Sequence, residues 1–466
     1  MLNFAKLGSE FSTKLQTQPL DQPFLIHKNT QLYADLGLVL TDSELLKITS
    51  GEEKFEQIEP IASIYAGHQF GHFNPQLGDG RSCLIGQIES NAPGSKRGYQ
   101  ELSLKGAGPT PYSRQADGRA VLRSSIREYL CSAAMQGLNI STTQALSLVG
   151  SSTEVYRENL ETAAIVMRVA PTHIRFGHFE LFASRGQIVQ VKKLADFVIE
   201  QNFPELQGAK VYENFFLEVV KRTAVMIASW QAQGFAHGVM NTDNMSILGL
   251  TMDYGPFGFL ETYDTSFVCN HSDHEGRYAF DQQPSIGLWN LTRLADALSS
   301  LIDTKQAEAI LQTYEQQLIK TYSILMRQKF GLVQQYEGDH QLINQFLELL
   351  RIHKKDYTNS LRGLADLEKL SADDNFSSWL VLYDQRLAEE KIEHRVELMN
   401  SVNPKFILRN YLAEEAIREA EDRKCYDKIS TLFNLLSSPF EAHLGFESYT
   451  QEAPKWAQGL SVSCSS

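Results

Sequence analysis

Hydrophobic residues recur with different periods in the two halves of this 466-residue chain. In the first half, short runs rich in β-branched and other apolar residues lie between glycines, at residues 83–88, 102–105 and 163–170. Such runs are typical of strands. Between the last two runs, apolar residues from position 120 to position 135 recur at helical intervals, and Gly137 follows them. This order predicts strands that are interrupted by one amphipathic helix.

The second half is predicted to be mainly helical. Its apolar residues keep a spacing close to the period of an α-helix in several long stretches, which polar segments separate. The pattern changes near Ala170-Pro-Thr172, after the last convincing strand, so we predict a β-rich N-lobe at residues 1–171 and a helical C-lobe at residues 172–466. The predicted helices lie at residues 212–233, 288–301, 307–326, 341–352 and 410–420.

Length and composition narrow the class of protein. A chain of 466 residues exceeds the size at which a single core stops growing, which predicts two lobes with a cleft between them. The net charge of -13 argues against general nucleic-acid binding. No apolar run approaches the length of a membrane span, so we expect a cytoplasmic protein that does not bind membranes, with a mitochondrial location left open as the alternative. The cysteines include no C-x-x-C pair, which argues against a disulfide framework or a zinc site.

The segment His237-Gly-Val-Met-Asn-Thr-Asp-Asn244, with Asp253-Tyr-Gly255 after it, contains the metal-binding half of a protein kinase's catalytic pattern but not the other half. A kinase catalytic loop places a metal-binding Asn seven residues after its His, and the Asp of a following D-F-G binds metal again. Asn244 and Asp253 match those two positions. Val239 stands where a kinase has its catalytic Asp, and valine cannot accept a proton. The sequence therefore predicts ATP and metal binding without ordinary kinase chemistry.

The first half contains the parts of a phosphate-binding lobe in the order that a kinase has them. A turn, Gly78-Asp-Gly-Arg-Ser82, precedes Lys105 on a predicted strand and Glu128 on the predicted helix. A glycine-rich turn lets backbone amides approach phosphate, a lysine neutralises phosphate charge, and a glutamate can hold that lysine in place. Each feature alone is more often a plain hairpin or a solvated side chain, and it is their order upstream of Asn244 and Asp253 that favours a phosphate-binding lobe. The turn carries Asp79 and Arg81 where a kinase has small neutral residues. A carboxylate therefore lies where phosphate is normally bound, which predicts that the nucleotide binds in an altered pose.

Arg168 and Arg175 flank the predicted lobe boundary. A guanidinium group can donate two parallel hydrogen bonds to phosphate oxygens. We therefore expect both arginines to lie at the mouth of the cleft and to clamp a triphosphate.

Several long motifs together resemble the selenoprotein O (SelO) family of kinase-like protein adenylyltransferases. The resemblance implies an α+β, protein-kinase-like bilobal fold with a β-rich N-lobe, a regulatory-type helix and a mainly α-helical C-lobe. It also implies transfer of AMP from ATP, bound in a flipped pose, to Ser, Thr or Tyr hydroxyls of proteins, with release of pyrophosphate. The motifs are Tyr65-Ala-Gly-His-Gln-Phe-Gly-His72, Leu77-Gly-Asp-Gly-Arg81, Leu104-Lys-Gly-Ala-Gly-Pro-Thr-Pro-Tyr-Ser-Arg114, Ala116-Asp-Gly-Arg-Ala120, Met167-Arg-Val-Ala-Pro-Thr-His-Ile-Arg-Phe-Gly177, His237-Gly-Val-Met-Asn-Thr-Asp-Asn-Met-Ser246 and Asp253-Tyr-Gly-Pro-Phe-Gly258.

The same resemblance implies a role for individual residues. Asp243 would accept the proton of the attacking hydroxyl, Asn244 and Asp253 would bind Mg²⁺ or Mn²⁺, and Glu128 would pair with Lys105. The residues expected to bind the nucleotide are Gly78, Gly80, Arg81, Lys105, Asp117, Gly118, Arg168 and Arg175.

Two other classes of function remain open. A small-molecule or protein phosphotransferase also uses a compact His-to-Asn catalytic loop, and a catalytically inactive scaffold could still bind ATP. Val239 argues against ordinary phosphotransfer. Lys105, Asp243, Asn244 and Asp253 are all present, which argues against an inactive site.

Cys464 lies third from the end of the sequence, where a thiol is expected to be accessible and able to react. Animal members of the SelO family carry selenocysteine at or near this position, and that resemblance suggests redox chemistry here. We expect a reversible disulfide between Cys464 and Cys269, because Cys269 is expected in an accessible polar loop whereas Cys83 and Cys131 are expected to be buried.

Overall fold

The computed structural model describes residues 2–89, 98–390, 392–457, 459–460 and 462. The three predicted runs of the first half are confirmed as strands, because they fall within the strands Ser82–Glu89, Tyr99–Lys105 and Leu160–Ala170. The strands are β1 (Ser12–Lys14), β2 (Phe24–Lys28), β3 (Ile61–Ser63), β4 (Gly67–Gln69), β5 (His72–Asn74), β6 (Ser82–Glu89), β7 (Tyr99–Lys105), β8 (Ala120–Val121), β9 (Gln144–Tyr156), β10 (Leu160–Ala170), β11 (Phe235–Ala236) and β12 (Gly258–Phe259).

Eight of these strands form one antiparallel sheet in the order β1-β3-β6-β7-β10-β9-β2, with β8 beside β10. The sequence did not predict β9, because Gly150 and the polar residues after it interrupt the apolar alternation. Pairing with the long strand β10 nevertheless extends β9 to Tyr156. A separate hairpin, β4 with β5, lies outside the sheet.

The helical second half is also confirmed, although the boundaries differ. The stretch predicted at residues 307–326 is two helices that meet at Gln312, and the stretch predicted at 288–301 begins earlier, with a proline in its first turn. The helices are α1 (Thr30–Asp35), α2 (Asp42–Thr49), α3 (Leu122–Gly137), α4 (Phe176–Ser184), α5 (Ile188–Asn202), α6 (Val211–Gln233), α7 (Gln283–Ala297), α8 (Thr304–Leu311), α9 (Thr313–Lys329), α10 (Asp339–Ile352), α11 (Tyr357–Gly363), α12 (Leu367–Ser371), α13 (Ser377–Leu387), α14 (Arg395–Asn400), α15 (Asn410–Arg423) and α16 (Asp427–Ser437).

The sheet buries both of its faces. Along β10, Ile165 and Met167 belong to the core on the side of α1 and α2, whereas Ala164 and Val166 belong to the core that also contains the buried face of α3. This alternation follows from the two-residue period of a strand. The same alternation directs two polar residues, Lys105 of β7 and Arg168 of β10, toward α3.

The core on the α3 side continues without interruption into the helical half, where it includes Phe179 of α4, Trp230 of α6 and Leu291 of α7. The predicted mixture of sheet and helices is thus confirmed, while the division at residue 171 stays a prediction. Among the described residues, none of the helices combines the length and the apolar character that a bilayer crossing requires.

Candidate functional site

Lys105, Glu128 and Arg168 meet between the sheet and α3. Lys105 at the end of β7 lies opposite Val166 of β10, so both Lys105 and Arg168 point to the α3 side. One carboxylate oxygen of Glu128 accepts a hydrogen bond from Lys105 Nζ, and the other accepts one from Arg168 Nε. All three side chains are buried. Burial and the adjacent Arg168 lower the pKa of Lys105, an effect that Glu128 opposes.

Asp253 contacts the same cluster. Its backbone is in the left-handed region, with φ of 58°, which is uncommon for a residue other than glycine. Its carboxylate forms ion pairs with Arg168 at 2.6 Å and with Arg175, and lies 4.0 Å from Lys105. Burial alone would raise the pKa of Asp253, but the charges of Arg168, Arg175 and Lys105 together hold that pKa well below its usual value.

The catalytic loop, which we define as residues 237–244, lies next to Asp253. His237 Nε2 is 2.9 Å from the carbonyl oxygen of Met252, so the loop is held against the segment that ends in Asp253. Asn244 Nδ2 donates to the carbonyl of Val239 at 3.0 Å. This bond leaves the amide oxygen of Asn244 as the atom that could bind a cation.

Asp243 is 8% exposed, and burial raises its pKa to about 6, although a hydrogen bond from Gln69 and the charge of Arg175 act in the opposite direction. Gln69 Nε2 donates to Asp243 Oδ2 at 3.1 Å, and Asp243 Oδ1 has no hydrogen-bond partner within the described part of the chain. A carboxylate with a pKa near the working pH is suited to accept a proton.

The glycine-rich turn is covered by the segment that follows β7. The side chains of Thr110 and Ser113 donate hydrogen bonds to the carbonyls of Asp79 and Gly80, respectively. Gly78 has a φ of 144°, and a Cβ there would lie 2.5 Å from Tyr112 Cγ, so only glycine fits. The carboxylate of Asp79 accepts hydrogen bonds from the backbone N–H and the hydroxyl of Ser63, at 2.9 and 2.6 Å.

Asp117 is fixed by Arg157, which the sequence did not single out. Arg157 lies just beyond the end of β9, and its two terminal nitrogens donate to the two oxygens of Asp117 at 2.8 and 2.9 Å. Gly118 has a φ of 66°, and a Cβ there would lie 2.1 Å from the carbonyl oxygen of Gly108. The contact from Arg157 crosses from a hairpin tip, so no local spacing could have indicated it.

One cavity of about 610 Å³ brings most of the predicted site residues together. Glu128 and Arg168 do not line it, since they lie behind Lys105 and Asp253. The expectation that Arg168 and Arg175 lie at the mouth of a cleft is wrong, because both are buried and paired with Asp253. The predicted residues that line the cavity are Gly78, Gly80, Arg81, Lys105, Asp117, Gly118, Arg175, Asp243, Asn244 and Asp253.

Cys269 packs beneath the catalytic loop rather than in an accessible loop. It is 7% exposed, which corrects the expectation, and a Cβ on Gly238 would lie 2.6 Å from its Sγ. Cys83 and Cys131 are buried, as expected. Cys464 lies outside the described residues. Val462, two residues before Cys464, pairs with Asn270 in an isolated parallel β-bridge. The carbonyl of Val462 accepts a hydrogen bond from the backbone N–H of His271 at 2.9 Å.

Comparison with known proteins identifies close relatives over almost the whole chain. The family model described as "Protein adenylyltransferase SelO" matches residues 2–437. A protein of Vibrio cholerae named "Protein nucleotidyltransferase YdiU" is 49% identical, over 99% of this chain and 98% of the relative. A protein of Aliivibrio salmonicida with the same name is 48% identical, again over 99% of this chain and 98% of the relative.

Proposed function

This chain belongs to the SelO family of protein adenylyltransferases, and we propose that it transfers AMP from ATP to Ser, Thr or Tyr hydroxyls of proteins, with pyrophosphate as the leaving group. The observation that carries this proposal is the position of Asp243. It places a carboxylate with a raised pKa in the same cavity as Lys105, Arg81 and Asn244, whereas the position of a kinase's catalytic Asp holds Val239.

In the proposed complex, the phosphates of ATP lie between the glycine-rich turn and Lys105. Arg81 and Lys105 would bind the outer phosphates, and Glu128 would keep the ammonium of Lys105 in place. Asp117 and Gly118 line the same cavity and would bind another part of the nucleotide. Arg168 and Arg175 would act mainly by holding Asp253, because each is paired with that carboxylate.

The residues present fit a hard divalent cation such as Mg²⁺ or Mn²⁺. The amide oxygen of Asn244 and the carboxylate of Asp253 line one cavity, and such ions are commonly held by one or two protein oxygens together with substrate phosphates. No group of three or more His, Cys, Asp or Glu residues suited to a metal occurs among the described residues. When bound, the cation would neutralise charge that develops on the pyrophosphate.

The protein's own groups supply the proton transfer. The Asp243 carboxylate takes the proton of the acceptor hydroxyl, and the hydroxyl oxygen forms a bond to the α-phosphorus. The bond from the α-phosphorus to the oxygen that bridges to the β-phosphorus breaks, and its electron pair leaves with pyrophosphate. Lys105 and Arg81 hold that leaving group by direct contacts with its oxygens.

Labelled ATP separates this function from phosphotransfer and from an inactive scaffold. We expect label at the α-phosphate to become protein-bound, because Val239 cannot serve a kinase reaction and Asp243 faces the cavity. The protein is incubated with Mg²⁺ or Mn²⁺ and with ATP labelled at either the α- or the γ-phosphate, and precipitable label is counted. Label from the γ-phosphate alone would identify a kinase, and absence of both labels would identify a scaffold.

We further propose that the thiols of Cys464 and Cys269 form an intrachain disulfide that regulates the site. An isolated β-bridge pairs Val462 with Asn270, the residue after Cys269, and Cys269 packs against Gly238 of the catalytic loop. The two thiols lose two electrons and two protons to a low-molecular-weight disulfide, which is reduced to two thiols.

Treatment with oxidised glutathione should therefore yield a peptide in which Cys464 is joined to Cys269, and should change the rate of AMP transfer. Peptide mapping without reductant identifies the pair, and Cys425→Ser is the matched control because Cys425 is only half-buried and lies elsewhere on the chain. A Cys464 that stays free, or that pairs only between chains, would contradict this proposal.

A further inference from the structure

The hairpin β4–β5, with its turn, contacts the catalytic loop through three consecutive residues. The backbone N–H of His68 donates to Thr242 Oγ1 at 2.7 Å, Gln69 Nε2 donates to Asp243 Oδ2 at 3.1 Å, and the backbone N–H of Phe70 donates to Asn241 Oδ1 at 3.2 Å. Each of these three residues thus binds one residue of the stretch Asn241–Asp243 of the loop. Such a set of contacts fixes the position of that stretch.

Hydrogen bonds also hold the backbone of the hairpin's turn in an uncommon conformation. Phe70 has a φ of 50°, in the left-handed region, and its N–H also donates to the hydroxyl of Tyr278 at 3.0 Å. The Tyr278 hydroxyl in turn donates to Asn241 Oδ1 at 2.6 Å. The backbone of the turn is therefore hydrogen-bonded both to the catalytic loop and to the helical half. These bonds fix the position of the backbone next to Gln69.

The two oxygens of the Asp243 carboxylate have different surroundings. A Cβ on Gly67 would lie 2.8 Å from Oδ1, so the hairpin backbone covers that oxygen, which is buried. Oδ2 binds Gln69, whose side chain lines the cavity. A carboxylate oxygen accepts more than one hydrogen bond, so Oδ2 can receive the proton of an acceptor hydroxyl while it stays bound to Gln69.

We propose that Gln69 is a positioning residue for AMP transfer, which turns Asp243 so that Oδ2 faces the acceptor hydroxyl. This inference rests on the proposed function of the site. Glutamine suits the role because its amide donates a hydrogen bond without bringing a second charge to the carboxylate. The contact is made to Asp243 and not to the nucleotide, so its loss should slow the transfer step and leave ATP binding intact.

The test compares two variants at Gln69 with a control. Gln69→Met removes the amide and keeps similar volume, whereas Gln69→Glu keeps the shape but replaces the N–H donor by an oxygen. Gln76→Met is the control, because Gln76 is exposed just after the hairpin and its side-chain oxygen accepts a hydrogen bond from Arg185, at 3.3 Å, and none from the catalytic loop among the described residues. Transfer of the α-label gives kcat and the KM for the acceptor protein, calorimetry gives the Kd for ATP, and thermal unfolding reports the fold.

We expect both Gln69 variants to lower kcat by roughly 10- to 100-fold, the range for loss of a hydrogen bond to a charged group that a neighbour positions. The Kd for ATP should stay within about twofold, and Gln76→Met should match the parent. In an Asp243→Asn background, Gln69→Met should lower the remaining rate by less than about threefold, because the carboxylate through which it acts is gone.

Parent-like kcat in both Gln69 variants would overturn the role of Gln69. So would a fall in ATP affinity as large as the fall in kcat, or a full multiplicative loss in the Asp243→Asn background. If Gln69→Met does not fold, Gln69→Glu decides alone. These outcomes differ from failure of the proposed function, which would appear as absence of α-label transfer by the parent protein itself.

Discussion

Asp253→Ala is expected to lower AMP transfer by a factor on the order of 10² or more, with the fold retained. The variant loses a carboxylate that we propose as a metal ligand, so negative charge on the departing pyrophosphate would be left without its counter-charge. It also removes the acidic partner of Arg175 and one of the two acidic partners of Arg168. Transfer of α-label at saturating metal measures the effect.

A chelator supplies the test of mechanism for this variant. If Asp253 acts through the cation, removal of metal should reduce the parent to about the rate of Asp253→Ala and should change the variant little. Glu275→Ala is the matched control, because Glu275 is an exposed acid in the loop after Cys269. Parent-like transfer by Asp253→Ala at saturating metal would show that Asp253 is not a ligand.

The ion pair of Lys105 with Glu128 shows what sequence patterns predict well. Lys105 ends a short apolar run, and Glu128 lies in a stretch with helical period, so each side chain's element and direction follow from local alternation. The expected phosphate-binding turn, the metal-binding segment and the strand lysine also line one cavity. Local rules place such residues because each acts from a regular element or a short, well-defined loop.

The contacts of Asp253 and Asp79 could not be predicted in this way. Arg168 and Arg175 were expected at an open cleft, but tertiary packing buries them against a carboxylate far along the chain. Asp79 was expected where phosphate is normally bound, and it does line the cavity, but the two hydrogen bonds that its Oδ2 accepts from Ser63 had no signal in the sequence. A charge in a sequence indicates neither its partner nor its burial, since both depend on contacts between distant segments.

The role of Gln69 could not be predicted from the sequence for a different reason. Gln69 lies inside a motif of the family resemblance, but a glutamine side chain does not titrate, so it is not a candidate general acid or base. Strands β4 and β5 are three residues each, too short for an alternation of apolar residues to show. Only the position of the hairpin against the catalytic loop indicates its role.

Asp243→Asn is expected to lower the rate of AMP transfer by roughly 10²–10⁴-fold, because the amide cannot accept the proton of the attacking hydroxyl. The substitution keeps the size of the side chain and an oxygen that can accept the hydrogen bond from Gln69. Arg175 also contacts Asp243, but through the backbone carbonyl at 2.8 Å, and that bond does not depend on the side chain. The fold of the loop should therefore persist.

The contrast between the two carboxylates of the site makes the role of Asp243 testable. Asp243→Asn should bind ATP about as tightly as the parent, and its remaining transfer should still depend on Mg²⁺ or Mn²⁺, whereas Asp253→Ala should have lost most of that dependence. Single-turnover transfer of α-label and calorimetric titration with ATP measure the two properties separately. If ATP affinity falls as far as the rate, or if metal dependence disappears, then Asp243 belongs to the metal site and another group must accept the proton.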